Sequence, residues 1–118
     1  MGVDDTADAA AAERGAAGEG RAPGARVTVV YPLWRAASTV AILVDAIARQ
    51  RPPEGAESAT WLEALFIDDA SPDDTVARLL KALAAADLPF PVRVMENERN
   101  LGLARSLNRA LATVRTDY

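Results

Sequence analysis

The stretch Leu65–Thr75 constrains the fold of this chain most strongly, because an apolar run ends there in two adjacent carboxylates, Asp68 and Asp69. Residue types that favour the start of a helix follow at once. The pattern predicts a strand that carries both carboxylates to its carboxyl end, directly before a helix. In open α/β sheets, ligands bind at that end of the strands.

The predicted helix start follows from local physical chemistry. Ser71 is a suitable N-cap, and Pro72 fits the first helical position. Asp74 lies three residues after the cap, where a negative side chain favours the positive end of the helix. We therefore interpret Asp73 and Asp74 as turn and helix-start residues rather than as part of a site.

Strand-like and helix-like segments alternate along the rest of the chain. Val27–Tyr31 is a β-branched run stopped by Pro32, and Val92–Met95 predicts a third strand. Apolar residues recur at helical spacing after each strand, and in the last helix this stripe consists of Ala104, Leu107, Leu111 and Val114. The β-α-β-α-β-α order predicts a three-layer α/β structure, a Rossmann-like parallel sheet with helices on both faces.

Composition excludes several classes of function. The chain has no cysteine and no histidine, so disulfides, thiolate chemistry and histidine-based catalysis are excluded, and any acid/base role must fall to carboxylates. Its 13 basic and 17 acidic residues leave a net charge of −4, which gives no reason to expect a nucleic-acid partner.

The N-terminal segment differs from the rest in composition. Residues 1–26 are rich in alanine and glycine with scattered acidic residues, so we predict a disordered tail there and an ordered domain over residues 27–118. The tail lacks the basic start and apolar core of a signal peptide, and no stretch reaches the ~18 apolar residues of a membrane span. We therefore expect a cytoplasmic protein without a membrane segment in this chain, with any membrane association left to segments not present here.

The exits of the first two strands carry the leading candidate site residues. Asp69 is placed to accept hydrogen bonds from a nucleoside, whereas Asp68 stays open because adjacent side chains in a strand point to opposite faces. Trp34, just beyond the first strand, could stack on a nucleobase or fill the core beneath its loop. Pro32 fixes the backbone that presents Trp34.

The exit of the third strand, Asn97–Arg105, is a further candidate. Gly102 permits close approach of a ligand or of a neighbouring loop. Arg105 and Arg109 are spaced i, i+4 on the following helix, where they could meet a diphosphate or form a solvated face.

Taken together, these three exits resemble the N-terminal half of inverting family 2 glycosyltransferases, which have the GT-A fold. The resemblance covers residues 26–118 and rests on three blocks in a fairly specific order and spacing, namely Val27–Gln50, Phe66–Thr75 and Asn100–Asn108.

The resemblance implies a domain that binds the donor, a nucleoside-diphosphate sugar. In the family, the positions of Pro32 and Trp34 line the base pocket, and the position of Asp69 hydrogen-bonds the base. Ile67, Asp68, Gly102 and Arg105 are additional candidates for donor binding.

The chain departs from the family pattern in two places. The family usually has tyrosine and asparagine where this chain has Trp34 and Arg35. The sequence also stops at Tyr118, before the Asp-x-Asp motif that holds Mg²⁺ or Mn²⁺ and before the acceptor half with its catalytic carboxylate. We therefore expect no catalytic residue and no metal ligand in these 118 residues, and no sugar transfer by them alone.

Two alternatives stay open from the sequence. A dinucleotide-binding Rossmann unit also has an acidic residue after its second strand, but here Tyr31–Arg35 stands where a glycine-rich loop would be expected. A non-catalytic nucleotide-binding module is the other alternative.

Overall fold

The computed structural model describes residues 27–51 and 61–118. The strands are β1 (Val27–Leu33), β2 (Leu62–Asp68) and β3 (Val92–Glu96), and the helices are α1 (Val40–Ala48), α2 (Thr75–Ala86) and α3 (Leu103–Ala112), in the order β1-α1-β2-α2-β3-α3. The predicted alternation of strands and helices is confirmed. The predicted tail over residues 1–26 lies outside the described residues.

The three strands form one parallel sheet in the order β1-β2-β3. Asp68 pairs with Leu33 on one side and with Glu96 on the other, so all three strands end at the same edge of the sheet. The expectation that Pro32 ends the first strand is wrong, because β1 continues to Leu33. Proline is tolerated there because β1 has one neighbouring strand in the described sheet, so the missing N–H on its open side leaves no ladder bond unmade.

Helices cover both faces of the sheet. The larger core cluster joins α1 and α2 to one face, through residues such as Val44, Leu79 and Phe66. The smaller cluster joins Ala110 of α3 to Leu65 on the opposite face. Because side chains alternate along β2, this central strand supplies both clusters and is buried throughout. The predicted three-layer arrangement is confirmed.

The start of α2 differs from the prediction. The helix begins at Thr75 with Asp74 at the N-cap position, rather than with Ser71 as cap and Pro72 as first residue. Ser71 instead forms hydrogen bonds with the carboxylate of Asp68, which competes successfully for its hydroxyl and N–H groups. Asp73 accepts hydrogen bonds from the N–H and hydroxyl of Thr75, so it organises the first turn from outside the helix.

The α3 helix begins at Leu103, and its buried face is not the apolar stripe that the spacing predicts. Its buried residues are Ser106, Arg109 and Ala110, whereas Leu111 is 57% exposed. Ser106 and Arg109 therefore face the sheet, because the side chain of Asn97 at the end of β3 forms hydrogen bonds with both.

None of the described helices is both long enough and apolar enough to cross a membrane.

Candidate functional site

A cleft of about 330 Å³ lies at the edge of the sheet where β1 and β2 end. Three chain segments line it, one after each strand, because parallel strands bring their carboxyl ends together. The lining residues come from the β1 exit, the β2 exit and the start of α3: Pro32, Leu33, Trp34, Asp69, Asn100, Gly102, Leu103 and Ser106. The cleft thus joins an aromatic ring, a carboxylate and a helix start that lie far apart in the sequence.

Asp69 is the most elaborately held side chain of the cleft and is 7% exposed. Its Oδ1 accepts hydrogen bonds from the Leu101 N–H at 2.7 Å and the Asn97 amide at 2.8 Å, and its Oδ2 accepts one from the Gly102 N–H at 2.9 Å. Two of these bonds go to Oδ1 and one to Oδ2, so both oxygens of the carboxylate are held in place.

These contacts keep Asp69 ionised. Burial raises the pKa of the carboxyl, but hydrogen bonds from Leu101, Asn97, Gly102 and Ser106 outweigh burial and leave the pKa below its ordinary value of 3.8. At neutral pH the cleft therefore presents a fixed negative acceptor, suited to hydrogen-bond donors on a ligand.

Asn97, the first residue after β3, links this carboxylate to α3. Its amide donates to Asp69 and to the Ser106 hydroxyl, each at 2.8 Å, while its Oδ1 accepts a hydrogen bond from Nη1 of Arg109. Sequence reasoning did not single out Asn97. The sequence does contain a signal for Asn97, because Asn97 directly follows β3 just as Asp69 directly follows β2. The two residues therefore lie on the same face of adjacent strands.

Asp68 faces the other side of the sheet, as alternation requires, and is 2% exposed. Its carboxylate accepts hydrogen bonds from the N–H of Ser71 at 2.9 Å and from its hydroxyl at 2.7 Å, and its carbonyl accepts one from the Asn97 N–H. In the described structure Asp68 therefore holds the loop before α2 and does not line the cleft.

Trp34 lies at the mouth of the cleft and is 46% exposed, so its ring is available to a ligand. The guanidinium of Arg35 lies 5.2 Å from the ring centroid, a cation–π distance. Arg35 has a φ of 51°, and its N–H donates to the Ser71 hydroxyl at 2.9 Å. The loop after β1 is thus tied to the loop after β2, and this contact helps to orient the indole.

The remaining sequence candidates lie in different surroundings. Gly102 lines the cleft with a φ of 91°. Ile67 is fully buried in the core, and Arg105 is exposed on α3 without lining the cleft. The interpretation of Arg105 and Arg109 as one basic face is wrong, because Arg109 is buried, 6% exposed, and hydrogen-bonded to Asn97.

Among the residues that line the cleft, Asp69 alone is acidic. Within the described ranges, no group of three or more acidic side chains is arranged to hold a metal ion. An exposed aromatic face beside an ionised acceptor can instead hold a planar heterocycle that carries N–H groups.

Comparison with known proteins agrees with this architecture. No curated protein sequence is significantly similar to the chain. Among solved structures, the mannosyltransferase PcManGT from Pyrobaculum calidifontis, in complex with GDP-Man and Mn²⁺, superposes with a TM-score of 0.66 at 24% sequence identity. The match covers 83% of this chain but 27% of the mannosyltransferase. The likeness confirms the predicted fold class, the N-terminal part of a GT-A fold.

The sequence family identifies the chain more directly. The family model described as glycosyl transferase family 2 matches residues 28–118. That span includes all three helices, all three strands except the first residue of β1, and every residue that lines the cleft. Because this match extends over most of its length, the chain belongs to glycosyl transferase family 2.

Proposed function

We propose that this domain binds the nucleotide of a nucleoside-diphosphate sugar, as the donor-binding part of an inverting glycosyltransferase that transfers a sugar to an acceptor hydroxyl. The observation that carries the proposal is the pairing of the exposed Trp34 ring with the ionised Asp69 carboxylate in one cleft. Family membership supports it, and so does the complex of the similar mannosyltransferase with GDP-Man.

In this proposal each residue has a distinct role. Trp34 stacks on the nucleobase, and Pro32 holds the backbone that presents the indole. The carboxylate of Asp69 accepts a hydrogen bond from a base N–H group, which favours bases with such a group beside their ring carbonyl. Gly102 lets the backbone approach the nucleotide closely.

The contribution of these residues to the reaction is recognition and orientation. In an inverting displacement the acceptor oxygen attacks the anomeric carbon as the nucleoside diphosphate leaves, so a fixed nucleotide sets the direction of attack. A divalent cation such as Mg²⁺ or Mn²⁺ would neutralise charge on the diphosphate. The described residues do not form a site that fits such an ion. A cytoplasmic location stays a prediction.

Calorimetric titration of the chain with GDP, UDP and NADH tests the proposal. We expect GDP or UDP to bind and NADH to bind more weakly or not at all. Asp69→Asn should weaken nucleotide binding about tenfold or more, because a hydrogen bond to a charged acceptor is lost. Tighter binding of NADH than of both nucleotides would overturn the proposal in favour of a dinucleotide-binding unit.

Fluorescence locates the bound nucleotide. Trp61→Phe leaves Trp34 as the single tryptophan, because the chain has two. In that background we expect a saturable quench of Trp34 emission on adding GDP or UDP. In the calorimetric titration, Trp34→Phe should retain more affinity than Trp34→Ala, which loses the stacking surface. Binding without any change in Trp34 emission would place the nucleotide elsewhere and contradict the proposal.

A further inference from the structure

The Asp69 carboxylate and the Arg109 guanidinium are joined through a single amide. Asn97 stands between them, and both flanking residues and Asn97 itself are at least nine-tenths buried. Its orientation is determined by chemistry, since a flipped amide would set its oxygen against the carboxylate and its N–H₂ against the guanidinium. The two opposite charges therefore lock the amide in one state.

The Asn97 amide in turn determines the geometry of the cleft. It shares Oδ1 of Asp69 with the Leu101 N–H, while the Gly102 N–H binds Oδ2 of the same carboxylate. One carboxylate thus ties the end of β2 to the loop before α3, on the wall of the cleft that Gly102 lines. A rotated or mobile Asn97 would release one of these bonds and loosen that wall.

Arginine is an energetically unfavourable residue at position 109 if its side chain only fills space. Its Nε and Nη2 atoms are buried and have no hydrogen-bond partner within residues 27–51 and 61–118, which leaves Nη1 and Asn97 as its polar contact there. A buried arginine with unmet donors destabilises a fold more than an apolar side chain of similar volume would. Its charge is therefore best explained by its effect on Asn97 and Asp69.

We propose that Arg109, acting through Asn97, is a positioning residue for Asp69 and so tunes how tightly the cleft holds a nucleobase. The inference rests on the proposed function for its ligand. Neither Arg109 nor Asn97 lines the cleft, so both act on the nucleotide only through Asp69.

The test compares Arg109→Met, Arg109→Lys and Arg115→Met in the 118-residue chain. Arg115 is a matched control, because it is exposed and its described hydrogen bonds go to backbone carbonyls near the end of α3. We expect Arg109→Met to weaken binding of GDP or UDP about tenfold, Arg109→Lys to restore part of the affinity, and Arg115→Met to leave it unchanged.

Amide hydrogen exchange provides a readout that does not need the nucleotide. Arg109→Met should speed exchange of the Leu101 and Gly102 amides about tenfold and shift the side-chain amide signal of Asn97, while the Val94 amide in β3 keeps its protection. Faster exchange throughout β3 would show a general structural role and overturn the inference. Unchanged exchange at Leu101 and Gly102 would also overturn it.

The two proposals fail in distinguishable ways. If the unaltered chain binds neither GDP nor UDP, the proposed function fails, while the exchange data still decide whether Arg109 positions Asp69. If Arg109→Met does not fold, Arg109→Gln, which keeps a donor for Asn97, is measured in the same way. Arg109→Gln should speed exchange of the Leu101 and Gly102 amides less than Asn97→Ala does. Equal exchange rates in these two variants would contradict the inference.

Discussion

Asp69 shows how one residue serves both fold and site. Its carboxylate binds two backbone N–H groups of the loop before α3 and still faces the cleft. The neighbouring Asp68 is equally acidic but turns to the opposite face, where it holds Ser71. Adjacent residues of one chemical type therefore have different tasks, and the alternation of side chains along β2 assigns them.

The pH dependence of stability should report the ionised state of Asp69. Because its pKa is lower in the folded chain than the ordinary 3.8, its contribution to the free energy of unfolding is present above that pH and is lost as the pH falls below it. Asp69→Asn should therefore lower stability at pH 7, and the difference should shrink on acidification. Urea unfolding at several pH values measures this.

A surface aspartate provides the control for that experiment. Asp45→Asn removes an exposed carboxylate whose partner is Arg49, so it should change the free energy of unfolding by less than about 1 kcal/mol. A pH-independent difference for Asp69→Asn would show that its effect does not come from the ionised carboxylate.

At the scale of elements, the junction between β3 and α3 depends on one unusual backbone conformation. Gly102 has φ 91° and ψ 163°, a region that is essentially restricted to glycine. A Cβ built at Gly102 meets no atom within 4 Å, so the restriction comes from the backbone and not from crowding. This conformation directs the Gly102 N–H toward Asp69 as α3 begins.

Gly102→Ala should therefore destabilise the fold by about 1–3 kcal/mol, the cost of forcing a residue with a Cβ into this region. Thermal and urea unfolding measure the loss. Asp87→Gly is the opposite control, because Asp87 ends α2 with a left-handed φ of 51°, where glycine should leave stability unchanged or raise it by up to about 1 kcal/mol. Equal losses for both variants would contradict the argument from backbone strain.

At the scale of the whole molecule, a buried ion pair ties the sheet to α3. Glu63 of β2 and Arg93 of β3 lie 3.4 Å apart with almost no exposure, and Arg93 also donates to the Thr113 hydroxyl at the end of α3 at 2.9 Å. The positions of Glu63 and Arg93 in their strands do not predict this buried ion pair, since an arginine in an alternating strand usually indicates a solvent-facing side. Here both faces of the sheet are covered, so the charge had to be paired inside.

Arg93→Met should lower the free energy of unfolding by about 3–5 kcal/mol, because it leaves the Glu63 charge buried without its partner. The double variant Glu63→Leu with Arg93→Met should lose less than the single one, since neither charge then remains. Arg49→Met, which breaks an exposed pair at the C-terminal end of α1, should cost less than about 1 kcal/mol. A double variant less stable than Arg93→Met would contradict this account.

The amino-acid sequence alone was enough to predict the alternation of strands and helices, the sheet edge that carries the cleft, and the placement of Trp34 and Asp69 at that edge. These features depend on local periodicity and on the rule that parallel strands end together. Tertiary contacts, in contrast, determine that Ser71 binds Asp68 instead of capping α2, and that α3 turns Ser106 and Arg109 toward the sheet. Those choices depend on partners distant in sequence, such as Asn97 for Arg109, which local propensity does not record.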